Sequence, residues 1–76
     1  MNYRERIISN PDIMLGKPTE KGTRITVELL LKKLSSGSTI EDIIISYPHI
    51  KKEDILAAID YAAEVVGNEE MIEVTK

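Results

Sequence analysis

The sequence predicts a mainly α domain: a three-helix bundle whose second and third helices make a helix-turn-helix, preceded by short N-terminal β-strands. Three observations carry that expectation. Val27, Leu30, Leu31 and Leu34, and again Ile40, Ile43, Ile44 and Tyr47, recur at the i, i+3, i+4, i+7 spacing that gathers side chains on one side of an α-helix. A third stripe, Ile55, Ile59, Ala62 and Val66, begins soon after a Pro-His-Ile-Lys connection, and two helices joined by about four residues are the helix-turn-helix pattern. The apolar runs before residue 27 are short, and the one from Arg24 to Val27 alternates with β-branched residues.

Each element has its own local reason. Ile7 and Ile8 are the apolar centre of a polar opening and suggest a short strand ending at Ser9, where Asn10-Pro11-Asp12 supplies a turn. Ile13-Met14-Leu15 is closed by Gly16-Lys17-Pro18, and Thr19-Glu20-Lys21-Gly22 reads as a polar turn in which Gly22 takes a positive φ at no steric cost. Arg24-Ile25-Thr26-Val27 is then a strand expected to pair with the earlier one. An isolated hairpin is marginal in water, so these pieces must lie on the helices or pair with a second copy of the chain. Thr26 also suits the N-cap of the first helix, expected at roughly 27–36 and ended by Ser35, Ser36 and Gly37. The second helix, roughly 39–47, opens at Ser38 or Thr39, where Ser38 and Glu41 have capping-box spacing, and is stopped by Pro48. The third, roughly 52–66, meets a C-terminal cap at Gly67. Ile72 and Val74 make the tail a final strand or a frayed end. The chain therefore reads as an arm (1–26), a trihelical unit (27–66) and a tail (67–76) within one structural domain.

Composition narrows the function. A 76-residue chain buries only about 60% of its unfolded surface, so oligomerisation is an expected supplement to its stability. With no Phe, no Trp and three Tyr, the core must be aliphatic. The absence of cysteine excludes disulfides, thiolate metal sites and thiol nucleophiles. No apolar run approaches the roughly 18 residues of a membrane span, and MNYRERII lacks a signal-peptide core, so the expected location is cytoplasmic, with no membrane partner. The net charge of −3 hides an asymmetry: seven Lys or Arg against four acids through Thr39, then three against nine. Any phosphate contact therefore belongs mostly to the first half.

Candidate sites follow from that distribution. Lys17, Lys21 and Arg24 lie in the Gly-Lys-Pro and Gly-Thr-Arg motifs, where they can hold phosphates or, if two chains pair, form a β-ribbon reader. The competing structural reading makes Gly16, Pro18 and Gly22 turn formers and pairs Arg24 with an acid of the helical part, which is the reading favoured here. Lys51 and Lys52 at the corner between the last two helices complete the candidate DNA-binding set, although solvated charge is the ordinary role of such residues. The third helix makes a poor major-groove reader, because Glu53, Asp60 and Glu64 stand with Lys52 off its core stripe. One histidine, His49, builds no catalytic arrangement. The carboxylate pairs Glu41-Asp42 and Glu53-Asp54 sit in first helical turns, where the helix dipole explains them without a metal. No cofactor, metal or catalytic residue is expected, and the protein is read as a non-enzyme. Ile7, Ile8, Leu29, Ile45, Leu56 and Tyr61 are the candidate interface residues: a core this small cannot hide all the off-stripe apolar side chains, and a symmetric homodimer is the simplest consequence.

Gly16-Lys17-Pro18, Gly22-Thr23-Arg24-Ile25 with Val27, Gly37, Ser38, Glu41-Asp42-Ile43, Tyr47-Pro48, Glu53-Asp54-Ile55 and Ala57-Ala58 together make the chain resemble the DUF433 family, over about residues 7–63. That family comprises small prokaryotic proteins of unknown function with a homeodomain-like three-helix fold. The resemblance implies an antitoxin of the VapB-like kind, often encoded beside a nuclease-like toxin of PIN-type fold. Two positions depart from the family pattern: Glu20 replaces a usually apolar residue, and Lys51 replaces a Thr or Ser that would cap the last helix. Two functions are thus expected: a dimeric antitoxin that binds operator DNA as an autorepressor and covers a PIN-like toxin, or an interaction module in which the same scaffold binds a protein and DNA plays no part.

Overall fold

A computed structural model describes residues 3–74, with side-chain surroundings through Gly67. Its elements in order are a 3-10 turn at Tyr3–Glu5, strand β1 (Ile7–Ile8), a tight turn at Met14–Gly16, strand β2 (Thr19–Glu20), and helices α1 (Val27–Ser35), α2 (Ile40–Ser46) and α3 (Lys52–Val74). The mainly α, three-helix architecture with a short N-terminal strand pair is as expected.

Each helix begins where a side chain can take up an orphan N–H. Thr26, in extended backbone, accepts from Leu29 N–H at 3.0 Å and opens α1. The capping box of α2 is one residue later than the Ser38–Glu41 spacing suggests. Thr39 Oγ1 accepts from Asp42 N–H at 3.1 Å, and Asp42 accepts from Thr39 N–H at 2.9 Å. Gly37, at φ 100°, consumes the turn before it and leaves Thr39 in the N-cap position. The Thr39 N–H first, and then the Thr39 hydroxyl, hold the Asp42 carboxyl below its ordinary range. At α3 only half a box exists: Asp54 accepts from Lys51 N–H at 2.9 Å, and Lys51 has no side-chain acceptor to return the bond.

Leu30, Ile43, Ile50 and Ile55 are almost fully enclosed, with Ala57 and Ala58 beside them. At about 1.5–3 kcal/mol for each large side chain, this aliphatic cluster is the main source of stability. Ile50, from the connection between α2 and α3, is part of it, so that connection is pinned to the core. Val27 and Ile7 close the cluster, and Tyr3, Leu31, Leu34, Ile40, Ile44, Tyr47 and Tyr61 pack around it.

Several expectations are corrected. The N-terminal pairing uses Thr19–Glu20, which read as a polar turn, in antiparallel register Ile7↔Glu20 and Ile8↔Thr19. Arg24–Val27 is not a strand: Thr26 is committed to capping α1, and its pairing is limited to a bridge with Thr19. On α3 the inward face carries Ile55, Ala57, Ala58 and Tyr61, whereas Ile59 and Val66 are 40% and 56% exposed. The two alanines turn inward because their small side chains let the neighbouring elements approach. Gly67 does not stop α3, which continues to Val74 in place of a terminal strand. Gly67 is not left-handed, and one helical glycine costs only about 1 kcal/mol relative to alanine. The last two residues of the tail lie outside the described residues. Met14 and Leu15 have φ of 51° and 58°, a left-handed conformation unfavourable for residues with a Cβ. Gly16 completes that turn at φ 82°.

Candidate functional site

The N-terminal arm is fastened to α3 at two places. Tyr3 meets Tyr61 edge-on, with ring centroids 5.3 Å apart at 88°, and Arg4 lies over the Tyr3 ring and 3.6 Å from Glu64. Burial and the nearby Glu64 charge push the Tyr3 hydroxyl above its ordinary range. Just before β1, Arg6 Nη1 donates to Asp54 Oδ1 at 2.8 Å. The strand-to-helix tie expected of Arg24 is therefore made by Arg6. Arg24 itself is exposed and forms no ion pair among the described residues.

The turn after β2 is held by its own backbone. Thr23 N–H and Thr23 Oγ1 both donate to the Glu20 carbonyl, at 3.0 and 2.8 Å, and Glu20 N–H donates to the Ile25 carbonyl at 2.9 Å. Gly22, at φ 80°, allows the reversal. The consequence is a shallow groove lined by Lys21, Gly22, Thr23, Arg24, Ile25 and His49, which brings two of the five candidate DNA-binding residues together. Lys17 is not among them: it pairs with Glu28 of α1 at 3.0 Å, and that bond holds the Glu28 carboxyl below its ordinary range. Lys51 and Lys52 follow at the start of α3, exposed and without ion pairs among the described residues. The fold thus offers one cationic corner, built from a hairpin turn and the connection between α2 and α3.

The candidate interface residues separate. Ile7 is enclosed in the core and Tyr61 is occupied by Tyr3, while Ile8 and Leu29 are half-buried. Ile45 on α2 is 78% exposed. On α3, exposed Leu56 is joined by Ile59, Ala63 and Val66. Their i, i+3, i+7, i+10 spacing makes one apolar stripe on the solvent side, with Glu53, Asp60 and Glu64 along one flank. Assigning Ile59 and Val66 to the core stripe hid this feature in the sequence.

The sequence marks two further groups without showing the roles that the structure gives them. Glu20 is 1% exposed, and neither carboxylate oxygen has a hydrogen-bond partner. Burial first, and then the neighbouring Asp54 charge, push its carboxyl up to about 8, against the opposing pull of Arg6. The one advance signal was the acid at a position where the resembled family is apolar. In the sequence Asp54 reads as first-turn charge, but it serves both the helix end and Arg6. Among the described residues there is no group of three or more His, Cys, Asp or Glu arranged to hold a metal, and no helix is long and apolar enough to cross a membrane.

Residues 7–62 match the family model described as a protein of unknown function (DUF433). The uncharacterized protein y4eO of Sinorhizobium fredii is 34% identical over 59 residues, which cover 78% of this chain and 27% of that protein. The chain thus spans about a quarter of that curated relative's length. The crystal structure of a DUF433 member from Anabaena variabilis is similar at a TM-score of 0.74 and 25% identity, over 93% of this chain and 69% of that one.

Proposed function

This chain belongs to the DUF433 family, and from that premise we propose that it is a non-enzymatic, cytoplasmic interaction module that binds a partner protein through the outer face of α3. The observation that carries this reading is the stripe Leu56, Ile59, Ala63 and Val66, exposed on a helix whose opposite face already supplies the core. Such spacing is how a helix enters an apolar groove on another protein. Acids along its flank select a partner whose groove has a basic rim, and they disfavour a second copy, which would set like charges against each other. A basic nuclease of the PIN-like kind, the toxin implied by the family resemblance, has that chemistry, and an antitoxin role follows if covering it blocks its active site.

The test is co-expression with the product of the adjacent gene, followed by size-exclusion chromatography and calorimetric titration of wild type and Ile59→Glu. A complex that Ile59→Glu abolishes supports the reading. No complex, or one indifferent to that substitution, overturns it, and elution of the chain alone as a homodimer that Ile59→Glu splits assigns the stripe to a second copy.

A second reading, operator-DNA binding by an autorepressor, is favoured by a different observation: Lys21, Arg24 and His49 line one groove, with exposed Lys51 and Lys52 at the next helix start. Phosphate contacts of this kind position a protein on a duplex and make its affinity salt-dependent. Anisotropy titration against the upstream DNA at two salt concentrations tests it, and a flat salt response counts against it. The two readings use separate faces and can coexist in one antitoxin.

A further inference from the structure

Glu20 sits on β2 opposite Ile7, buried, with both carboxyl oxygens unpartnered, where the arm meets α3 through Arg6 and Asp54. The charged groups acting on it are Asp54 from α3, which repels its ionised form, and Arg6 from the arm, which attracts it but is already bonded to Asp54. Burial first, and the Asp54 charge with it, outweigh the pull of Arg6, and the carboxyl is raised to about 8. At neutral pH Glu20 therefore holds its proton, which lowers the cost of enclosing a carboxyl whose oxygens have no partner.

The same residue is the node of the surrounding backbone. Its N–H and carbonyl hold Ile25 and Thr23, and the next N–H, of Lys21, donates to the Arg6 carbonyl at 2.7 Å. Displacement of the Glu20 side chain therefore moves both the arm and the turn that carries Lys21 and Arg24. We infer that Glu20 is a proton-controlled clasp: with its proton, the β1–β2 pair closes over it against α3, and once the proton passes to water the carboxylate turns out to solvent, releasing the arm and the Lys21–Arg24 turn from the bundle. The opening falls on this pair because each strand has two residues, and so small a pairing yields before a helical core does.

NMR on the full chain between about pH 6 and about pH 9.5 tests this, the range being chosen to bracket the raised carboxyl. The Glu20 carboxyl carbon reports ionisation, while the Tyr3–Tyr61 ring contacts and the Ile7–Glu20 cross-strand contact report docking. The raised Tyr3 hydroxyl lies above this range and does not confuse the reading. In wild type the docking contacts are expected to be lost with the midpoint of the Glu20 carboxyl, while the Leu30–Ile55 core contacts persist. Glu20→Gln, neutral at every pH, keeps the arm docked throughout. Asp54→Asn, which removes the repelling charge and leaves Arg6 to the carboxylate, moves the Glu20 titration to lower pH. Contacts that survive Glu20 ionisation, or that fade equally in Glu20→Gln, overturn the inference. If Glu20→Gln fails to fold, Glu20→Leu replaces it as the non-titrating variant, with the same expected outcome.

Discussion

Arg6 Nη1 and Asp54 Oδ1, 48 residues apart in the chain, meet at 2.8 Å and tie the N-terminal arm to the start of α3. The other oxygen of Asp54 accepts from Lys51 N–H at 2.9 Å, so a single carboxylate both fastens the arm and caps the helix.

That double duty separates two substitutions. Arg6→Ala is expected to cost about 1 kcal/mol, discounted for water because the Arg6 side chain is 38% exposed. Asp54→Ala should cost about 2 kcal/mol, since the ion pair and the helix end are lost together. Urea unfolding compares them, and equal costs would show that the capping bond contributes nothing.

Glu20 sets an unusual pH dependence. Its folded value of about 8 lies above the ordinary 4.5, so the unfolded chain gives up this proton first. Between those limits the folded state binds more protons, and stability falls as pH rises through the window. Wild type should be more stable near pH 5.5 than near pH 8 by on the order of a few kcal/mol. Glu20→Gln should flatten that slope, and Glu20→Leu should exceed wild type at the alkaline end, because an apolar side chain leaves no polar group without a partner in an enclosed site. A slope unchanged in Glu20→Gln would assign the effect elsewhere. Asp42 acts in the opposite sense: its depressed carboxyl stabilises α2 above the unfolded value of 3.8, a contribution lost as pH falls through the folded value.

Completing the half-made cap of α3 should stabilise the protein. Lys51→Ser supplies the missing acceptor while Asp54 keeps its bond to the residue 51 N–H, for an expected gain of about 0.5–1 kcal/mol. Thr39→Ala, which breaks the complete box of α2, should lose about 1 kcal/mol. Thermal unfolding of the pair reads both signs.

Substitutions on opposite faces of α3 should have opposite consequences. Ile59→Glu, on the exposed stripe, should leave stability within about 0.5 kcal/mol while weakening partner binding at least about tenfold. Ala58→Leu, at 0% exposure, should cost about 1–3 kcal/mol by overpacking. Calorimetric titration and urea unfolding of both variants test the assignment of faces.

If the cationic corner holds phosphates, Lys21→Ala with Arg24→Ala should reduce the slope of log affinity against log salt by roughly two contacts. Lys17→Ala should change it little, because that lysine is paired with Glu28. An unchanged slope in the double variant would remove the corner from consideration.

What the sequence determined by itself was local. The 3.6-residue periodicity of Val27–Leu34 and Ile40–Tyr47 and the Thr26 cap are interactions within one or two turns, and they specify the helices wherever those helices lie. Even so, the sequence leaves the α2 cap between Ser38 and Thr39, because Ser38–Glu41 and Thr39–Asp42 have equal spacing, and the structure uses the second pair. Tertiary structure alone decided which face of α3 turns inward. Two apolar stripes share that helix, and the bundle takes the one with Ala57 and Ala58, leaving Leu56 and Ile59 to solvent. It alone also decided that Glu20 is buried and that Arg6, not Arg24, reaches Asp54. These depend on contacts between residues far apart in the chain, where the free energy of enclosing an aliphatic core outweighs the cost of one buried carboxyl left without a partner.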